Sequence, residues 1–407
     1  MNGGLMESIK ELYRIGIGPS SSHTMGPRKA AKKFLKDYPN AAYYQVSLYK
    51  SLAATGKGHL TDWTINNVFS GKKIEIIWIP NEELPEHPNG MKFDAFDAND
   101  ELLGEWLVYS IGGGALKDAD ITNEIKSYYK RCNMKDILKY CSERGITFSE
   151  YIYKHEDPDF KEFLKSILDT MFAAIDRGLK TEGPLPGGIG IPRKAYSLYR
   201  RVRMIDKHFK RGGLLSAYAL AVSEENACGG TIATAPTCGS CGVMPSVLRY
   251  LRDVLVSSED ELINALATAG LIGNLVKHNA SISGAEVGCQ GEIGTACAMA
   301  AAAATQLMGG SIRQIEYAAE MGLEHHLGLT CDPVYGLVQI PCIERNAFAA
   351  KRALSCAEYA LISDGSHIID FDDVVEVMNQ TGNDLPSLYR ETAEGGLAKV
   401  FKGKLDI

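Results

Sequence analysis

Two short stretches of this 407-residue chain set hydroxyls, glycine and an imidazole side by side. The first is Gly18-Pro19-Ser20-Ser21-Ser22-His23-Thr24, just ahead of an amphipathic segment in which Pro27 suits the first helical position. A helix start presents unpaired N–H groups and partial positive charge, a setting that favours a small carboxylate. Serine and threonine there also serve as ordinary caps, but a cap needs no imidazole. The second is Thr55-Gly56-Lys57-Gly58-His59-Leu60-Thr61-Asp62, read as a loop directly after a strand. Its glycines would let backbone approach a ligand, and His59 would exchange protons.

A third set is sulfur. Cys289 in ASISGAEVGCQGE, Cys331 in LGLTCDP and Cys342 in VQIPCIERNA each stand in a glycine- or proline-punctuated turn, free to point at a metal. Three converging thiolates would hold a cubane cluster with one iron lacking a protein thiolate, the open position a catalytic metal needs. A buried inert thiol is the alternative for any one of them. Cys238-Gly-Ser-Cys241 has CxxC spacing but no second pair and no βαβ context, so it reads as structural. His325 and His326 precede Cys331 on a helix, where neighbours face different ways.

The elements that must position these residues fall in two parts, an α+β chain with the division placed at 1–118 and 119–407. After a first helix near Met6 to Arg14 and the helix entered at Pro27, strand-like runs lie at Tyr44 to Leu52, Lys73 to Pro80, Met91 to Asp97 and Leu102 to Ile111. Asn99-Asp100 fits a hairpin turn, and Gly112 to Gly114 ends the small domain without a dinucleotide fingerprint. Beyond about residue 120 the apolar period becomes 3.6. Asn133 and Pro158 open two helices, and further ones are expected over 213–226, 245–256, 259–277, 290–308, 311–327 and 342–362.

Composition excludes other classes. Lys and Arg number 43 against 50 Asp and Glu, a net charge of −7 that offers no bulk positive field to nucleic acid or anionic lipid. No run reaches the roughly 20 apolar residues of a membrane span. The opening MNGGLMESIK has no export signal, and ten scattered cysteines do not form a secreted disulfide framework, so a reducing cytoplasm is expected.

GIGPSSSHTMGP, TGKGHLTD and YSIGGG, followed by AVSEENACGG, TAPTCGSCG, NASISGAEVGCQGE, GLEHHLGLTCDP, IPCIERNA and YRETAEGGLA, resemble the iron–sulfur L-serine dehydratases, the single-chain bacterial L-serine ammonia-lyases. The motifs run in order from about residue 8 to about residue 400. The resemblance implies a small β domain, an all-helical α domain with a [4Fe-4S] cluster on Cys289, Cys331 and Cys342, and conversion of L-serine to pyruvate and ammonia without pyridoxal phosphate. An open iron would act as Lewis acid for the β-hydroxyl. His59 or His23 would take the Cα proton, His59 favoured for its glycine flanks, while Ser20, Ser21, Ser22 and Thr24, helped by Asn279 and Ser281, would hold the carboxylate. A homodimer is expected from size and class.

Two departures accompany the resemblance: Cys238 replaces the family's usual Asn, and IPNEELPEHPNGMKF replaces a longer insertion. Three rivals differ in what they need. A pyridoxal-phosphate lyase needs a Schiff-base lysine in a phosphate cradle, for which GGGAL is a faint echo. A cysteine desulfidase would leave the two histidine motifs unexplained, and a cluster-bearing sensor lacks a DNA-reading motif.

Overall fold

The computed structural model describes residues 5–118 and 127–405. The segment at the expected division after residue 118 thus lies outside the described residues in part.

Alternation of large apolar with polar residues makes one face of a five-stranded sheet. Its order is Lys73–Ile79, Tyr43–Tyr49, Gly90–Phe96, Leu102–Ser110, Leu116–Asp118, with the first pair parallel and the rest antiparallel. Tyr44, Val46, Leu48, Met91, Phe93 and Ala95 point to a core closed by Ala30, Ala31 and Phe34 of the Gly26–Asp37 helix and Ile65 of the Thr61–Val68 helix. The opposite face carries Lys92 between Asp94 and Glu105, and Tyr43 bonded to Glu75.

The parallel pair needs a crossover, and this crossover builds half of the site. The strand expected over Tyr44 to Leu52 stops at Tyr49. Lys50 takes a left-handed φ of 41°, and the chain coils into the helix Lys50–Thr55. The apolar rhythm of LYKSLAAT runs across this break, so periodicity alone misses it. TGKGHLTD is accordingly a tight link between two short helices, and its His59 is 1% exposed.

The expected first helix is also different. Met6–Glu7 is a strand paired with Ser127–Tyr129, followed by a single tight turn at Ile9–Glu11. Met6, Ile9, Leu12 and Tyr13 are buried in the helical core, and Tyr13 donates to the Leu266 carbonyl. Residues Ile15–Ile17 then pair with Thr231–Ala233. The opening segment therefore straps the sheet to the helical body before the sheet begins.

That body centres on the helix Thr295–Leu307, buried continuously from Thr295 to Thr305 and wrapped by Glu259–Asn279, Ile312–Glu324 and Cys342–Ile362. A helix apolar all round belongs in a core, and its alanines let neighbouring backbones come close. At Gly322 a Cβ would stand 2.9 Å from the Ala298 Cα. The cap expected of Asn133 is present, its side chain accepting from the Asp136 N–H. No described helix is long and apolar enough to cross a membrane.

Candidate active site

The Ser20–Thr24 motif forms a wide turn ahead of the Gly26–Asp37 helix, with Met25 N–H donating to the Ser20 carbonyl and Gly26 N–H to Ser21, each five residues back. Such one-turn expansions recur at functional sites because they push side chains out of the ordinary helical rows. The hydroxyls here are spent locally. Ser20 Oγ accepts the His23 N–H at 3.1 Å, Ser22 Oγ bonds His23 Nδ1 at 2.8 Å, and Thr24 Oγ1 donates to the His59 carbonyl at 2.7 Å. Thr61 Oγ1 returns the favour to the His23 carbonyl at 2.6 Å. Each histidine loop is thus pinned by the other's threonine, and the rings lie 4.5 Å apart between centroids.

The network fixes both tautomers. Ser51 Oγ donates to the Glu391 carbonyl at 2.9 Å and so accepts from His23 Nε2 at 3.1 Å, leaving Nδ1 as the acceptor that Ser22 covers. Thr55 Oγ1 donates to the Ser51 carbonyl and so accepts from His59 Nδ1 at 2.9 Å. The bare nitrogen of His59 is therefore Nε2, which lies 3.8 Å from Glu391 Oε1, with His23 Nδ1 3.6 Å from the same oxygen. Burial drives the His23 pKa down to about 3 and that of His59 well below the ordinary range, His23 adding to the latter. Burial also raises Glu391 far above a normal carboxylate, helped by Glu292 and Cys289. Both imidazoles are consequently neutral at pH 7, so their contacts with Glu391 are not ion pairs.

The thiols of Cys289, Cys331 and Cys342 are each within electrostatic reach of Glu391. Cys289 opens a second wide turn, Gln290–Gly294; Cys331 exchanges backbone hydrogen bonds with Tyr389 and Glu391; Cys342 begins the helix Cys342–Ile362. Cys289 and Cys331 are hydrogen-bonded to each other, Cys342 is within electrostatic reach of Cys289, and Arg345 of all three. The hydrogen bond from Cys331, with help from Arg345, pulls Cys289 down to about 6 against its burial, and the same bond raises Cys331. Burial raises Cys342. Buried Glu292, pushed up to about 8 by desolvation and then by Cys289, accepts from Thr237 Oγ1 at 2.7 Å.

This donor set suits a thiolate-bound cluster. Three soft ligands come from three separate turns, a guanidinium offsets their charge, and the Glu391 Oε2 buried beside them has no hydrogen-bond partner among the described residues. Position 284 must stay bare, since a Cβ there would stand 3.2 Å from Cys331 Sγ and 2.9 Å from Glu292 Oε2.

Other residues singled out in the sequence make contacts of their own. Exposed Asn279 donates to the Cys132 and Leu275 carbonyls at a helix end. Ser281 bonds Glu286 at the edge of a cleft between sheet and helical body. Ser21 is buried in the wide turn. His325 and His326 bond carbonyls of their own helix, and Cys238 is buried against Met25 Sδ at 3.4 Å. Gly58 gives close approach, but to the Tyr335–Gly336 backbone: a Cβ there would be 2.4 Å from the Tyr335 carbonyl oxygen. Sequence reasoning gives no role to Ser51, Thr55, Thr61, Glu391 or Arg345, although all but Ser51 carry a signal, standing within the TGKGHLTD, YRETAEGG and PCIERN motifs.

Serine dehydratase beta chain models match residues 8–77 and 66–121, and the alpha chain model matches residues 107–398. Over 449 residues the chain is 41% identical to L-serine dehydratase 1 of Escherichia coli, covering 97% of this chain and 99% of that protein. It is 40% identical to the L-serine dehydratase of Streptomyces coelicolor and 39% identical to that of Haemophilus influenzae, over 96% and 97% of its length and 98% and 99% of theirs. With its sheet-bearing and helical parts matching the beta and alpha chains in one polypeptide, the protein belongs to the single-chain bacterial L-serine dehydratase family.

Proposed function

We propose that this chain is an L-serine ammonia-lyase that converts L-serine to pyruvate and ammonia, with a [4Fe-4S] cluster held by Cys289, Cys331 and Cys342. The observation that carries the reading is the meeting, around one buried carboxyl of Glu391, of three thiols from the helical body and two neutral imidazoles from the sheet domain.

Elimination needs a proton taken from Cα and a hydroxyl lost from Cβ. A positioned base typically contributes 10²–10⁴-fold, about 3–5 kcal/mol, well short of the ~8 kcal/mol or more that enzymes supply. When bound, a cluster with one iron free of protein thiolate supplies a Lewis acid for the β-hydroxyl, worth several kcal/mol.

The protein's own residues do the rest. His59 Nε2 takes the Cα proton: its lone pair is free, because Nδ1–H is committed to Thr55. His23 has both nitrogens committed, to Ser22 and Ser51, and orients its neighbour. The hydroxyls of Ser20, Ser22 and Thr24 serve the substrate indirectly, by fixing these two rings. Loss of the β-hydroxyl leaves aminoacrylate, which tautomerises and hydrolyses to pyruvate and ammonia.

Anaerobic purification followed by assay of pyruvate and ammonia from L-serine tests this. Equimolar products are expected, with activity lost on aerobic storage. Full turnover from iron-free protein would contradict the cluster, and no pyruvate from iron-replete protein would contradict the reaction.

A further inference from the structure

The cleft between sheet and helical body encloses about 310 Å³ and is bordered by Lys50, Ser51, His87, Ser281, Glu286 and Arg390. Ser51 connects it to the imidazole pair, since the same hydroxyl bonds His23 Nε2 at 3.1 Å. Two donors there are unspent. Arg390 uses Nη1 on the Glu286 carbonyl at 3.2 Å, whereas its buried Nε has no hydrogen-bond partner among the described residues. His87, 4% exposed, accepts the Asn89 N–H on Nδ1 at 3.0 Å, so its proton sits on Nε2. That Nε2 makes no hydrogen bond, although Glu286 Oε1 is 3.4 Å away. Ser281 Oγ anchors the other Glu286 oxygen.

A guanidinium, a neutral imidazole N–H and a carboxylate around one small cleft match the two charges of an α-amino acid. A buried donor left unpaired is costly, which argues that these groups are placed for a ligand. We propose that Arg390 and His87 bind the substrate's carboxylate and Glu286 its ammonium group, so that the amino acid is held from the cleft with its side chain toward the thiols. The serine-rich turn then shapes the base rather than the carboxylate site. This assignment rests on the reading as a serine ammonia-lyase and names the residues that recognise its substrate.

The test uses the anaerobically purified holoenzyme and its Arg390→Gln, Arg390→Lys and Glu286→Gln variants. Losing a charged hydrogen bond is expected to raise KM for L-serine about 10- to 100-fold in Arg390→Gln, with a smaller fall in kcat and partial recovery in Arg390→Lys. Calorimetric binding of L-alanine and L-alaninamide provides a readout without turnover. The wild type should prefer the carboxylate compound, Arg390→Gln should lose that preference, and Glu286→Gln should weaken both ligands while iron content and cluster absorbance stay unchanged. A wild-type KM and an intact preference for L-alanine in Arg390→Gln would overturn the assignment. A wild type that binds L-alanine selectively yet forms no pyruvate would sink the lyase reading and leave the amino-acid cleft standing.

Discussion

The two halves of the site are finished to different degrees. On the sheet side, the polar atoms of His23, Ser51, Thr55 and Thr61 are nearly all paired, and both imidazoles are neutral and locked by loops that pin each other. On the helical side, Cys289 is drawn toward ionisation, Glu292 is raised, and Glu391 Oε2 is buried without a partner. A network closed by the protein alone gives geometry, which a base requires. A set of buried acids in mutual tension gives affinity for a cation, which the proposed cluster site requires. The seam between them is Glu391, whose backbone ties to Cys331 and Ser51 while its side chain faces both rings.

The largest expected effects come from breaking the helical half. Cys289→Ala, Cys331→Ala and Cys342→Ala should each lower kcat by on the order of 10³-fold or more and deplete bound iron and sulfide, measured by colorimetric analysis beside the pyruvate assay. Breaking the sheet half should spare the metal. His59→Ala is expected to cost about 10²–10⁴ in kcat with iron content unchanged, and His23→Ala less, since His23 lacks a free lone pair. Equal losses in the two variants would argue against His59 Nε2 as the base.

A second contact between the two halves, away from Glu391, is tested by Gly58→Ala. The added methyl must displace the Tyr335–Gly336 backbone, so about 1–3 kcal/mol of stability should be lost in denaturant titrations, together with some activity. A further effect is expected in acid. Because burial depresses the His23 pKa to about 3, the unfolded chain binds a proton the folded one refuses. This contribution is absent above the ordinary value of ~6.5 and grows as pH falls from there toward 3, destabilising the fold. The fall in denaturation midpoint between those limits should be shallower in His23→Gln than in the wild type.

The sequence makes this site legible as a set of parts but not as an assembly. Cap residues, turn glycines and 3.6 periodicity are local signals, and they located the Gly26–Asp37 helix, the Asn133 cap and most helices of the core. Contacts between distant segments leave no such imprint. Nothing near Ser51 signals that it joins His23 to residue 391, and nothing in Met6 to Tyr13 shows that it packs in the helical core. The glycine flanks of His59 suggest close approach to a ligand, whereas what Gly58 meets in the fold is the backbone of a loop 277 residues downstream, which no local signal reveals. The break at Lys50 was hidden for a related reason: a left-handed lysine has no compositional mark, and apolar residues continue on both sides of it.

The most direct test of the account is Mössbauer spectroscopy of enzyme grown on Mössbauer-active iron, recorded with and without L-serine. If Cys289, Cys331 and Cys342 hold a cluster as proposed, leaving one iron for substrate, a quarter of the iron signal shifts when L-serine is added, while the other three quarters stay as they were. A spectrum indifferent to L-serine, or one in which all the iron responds alike, would contradict it.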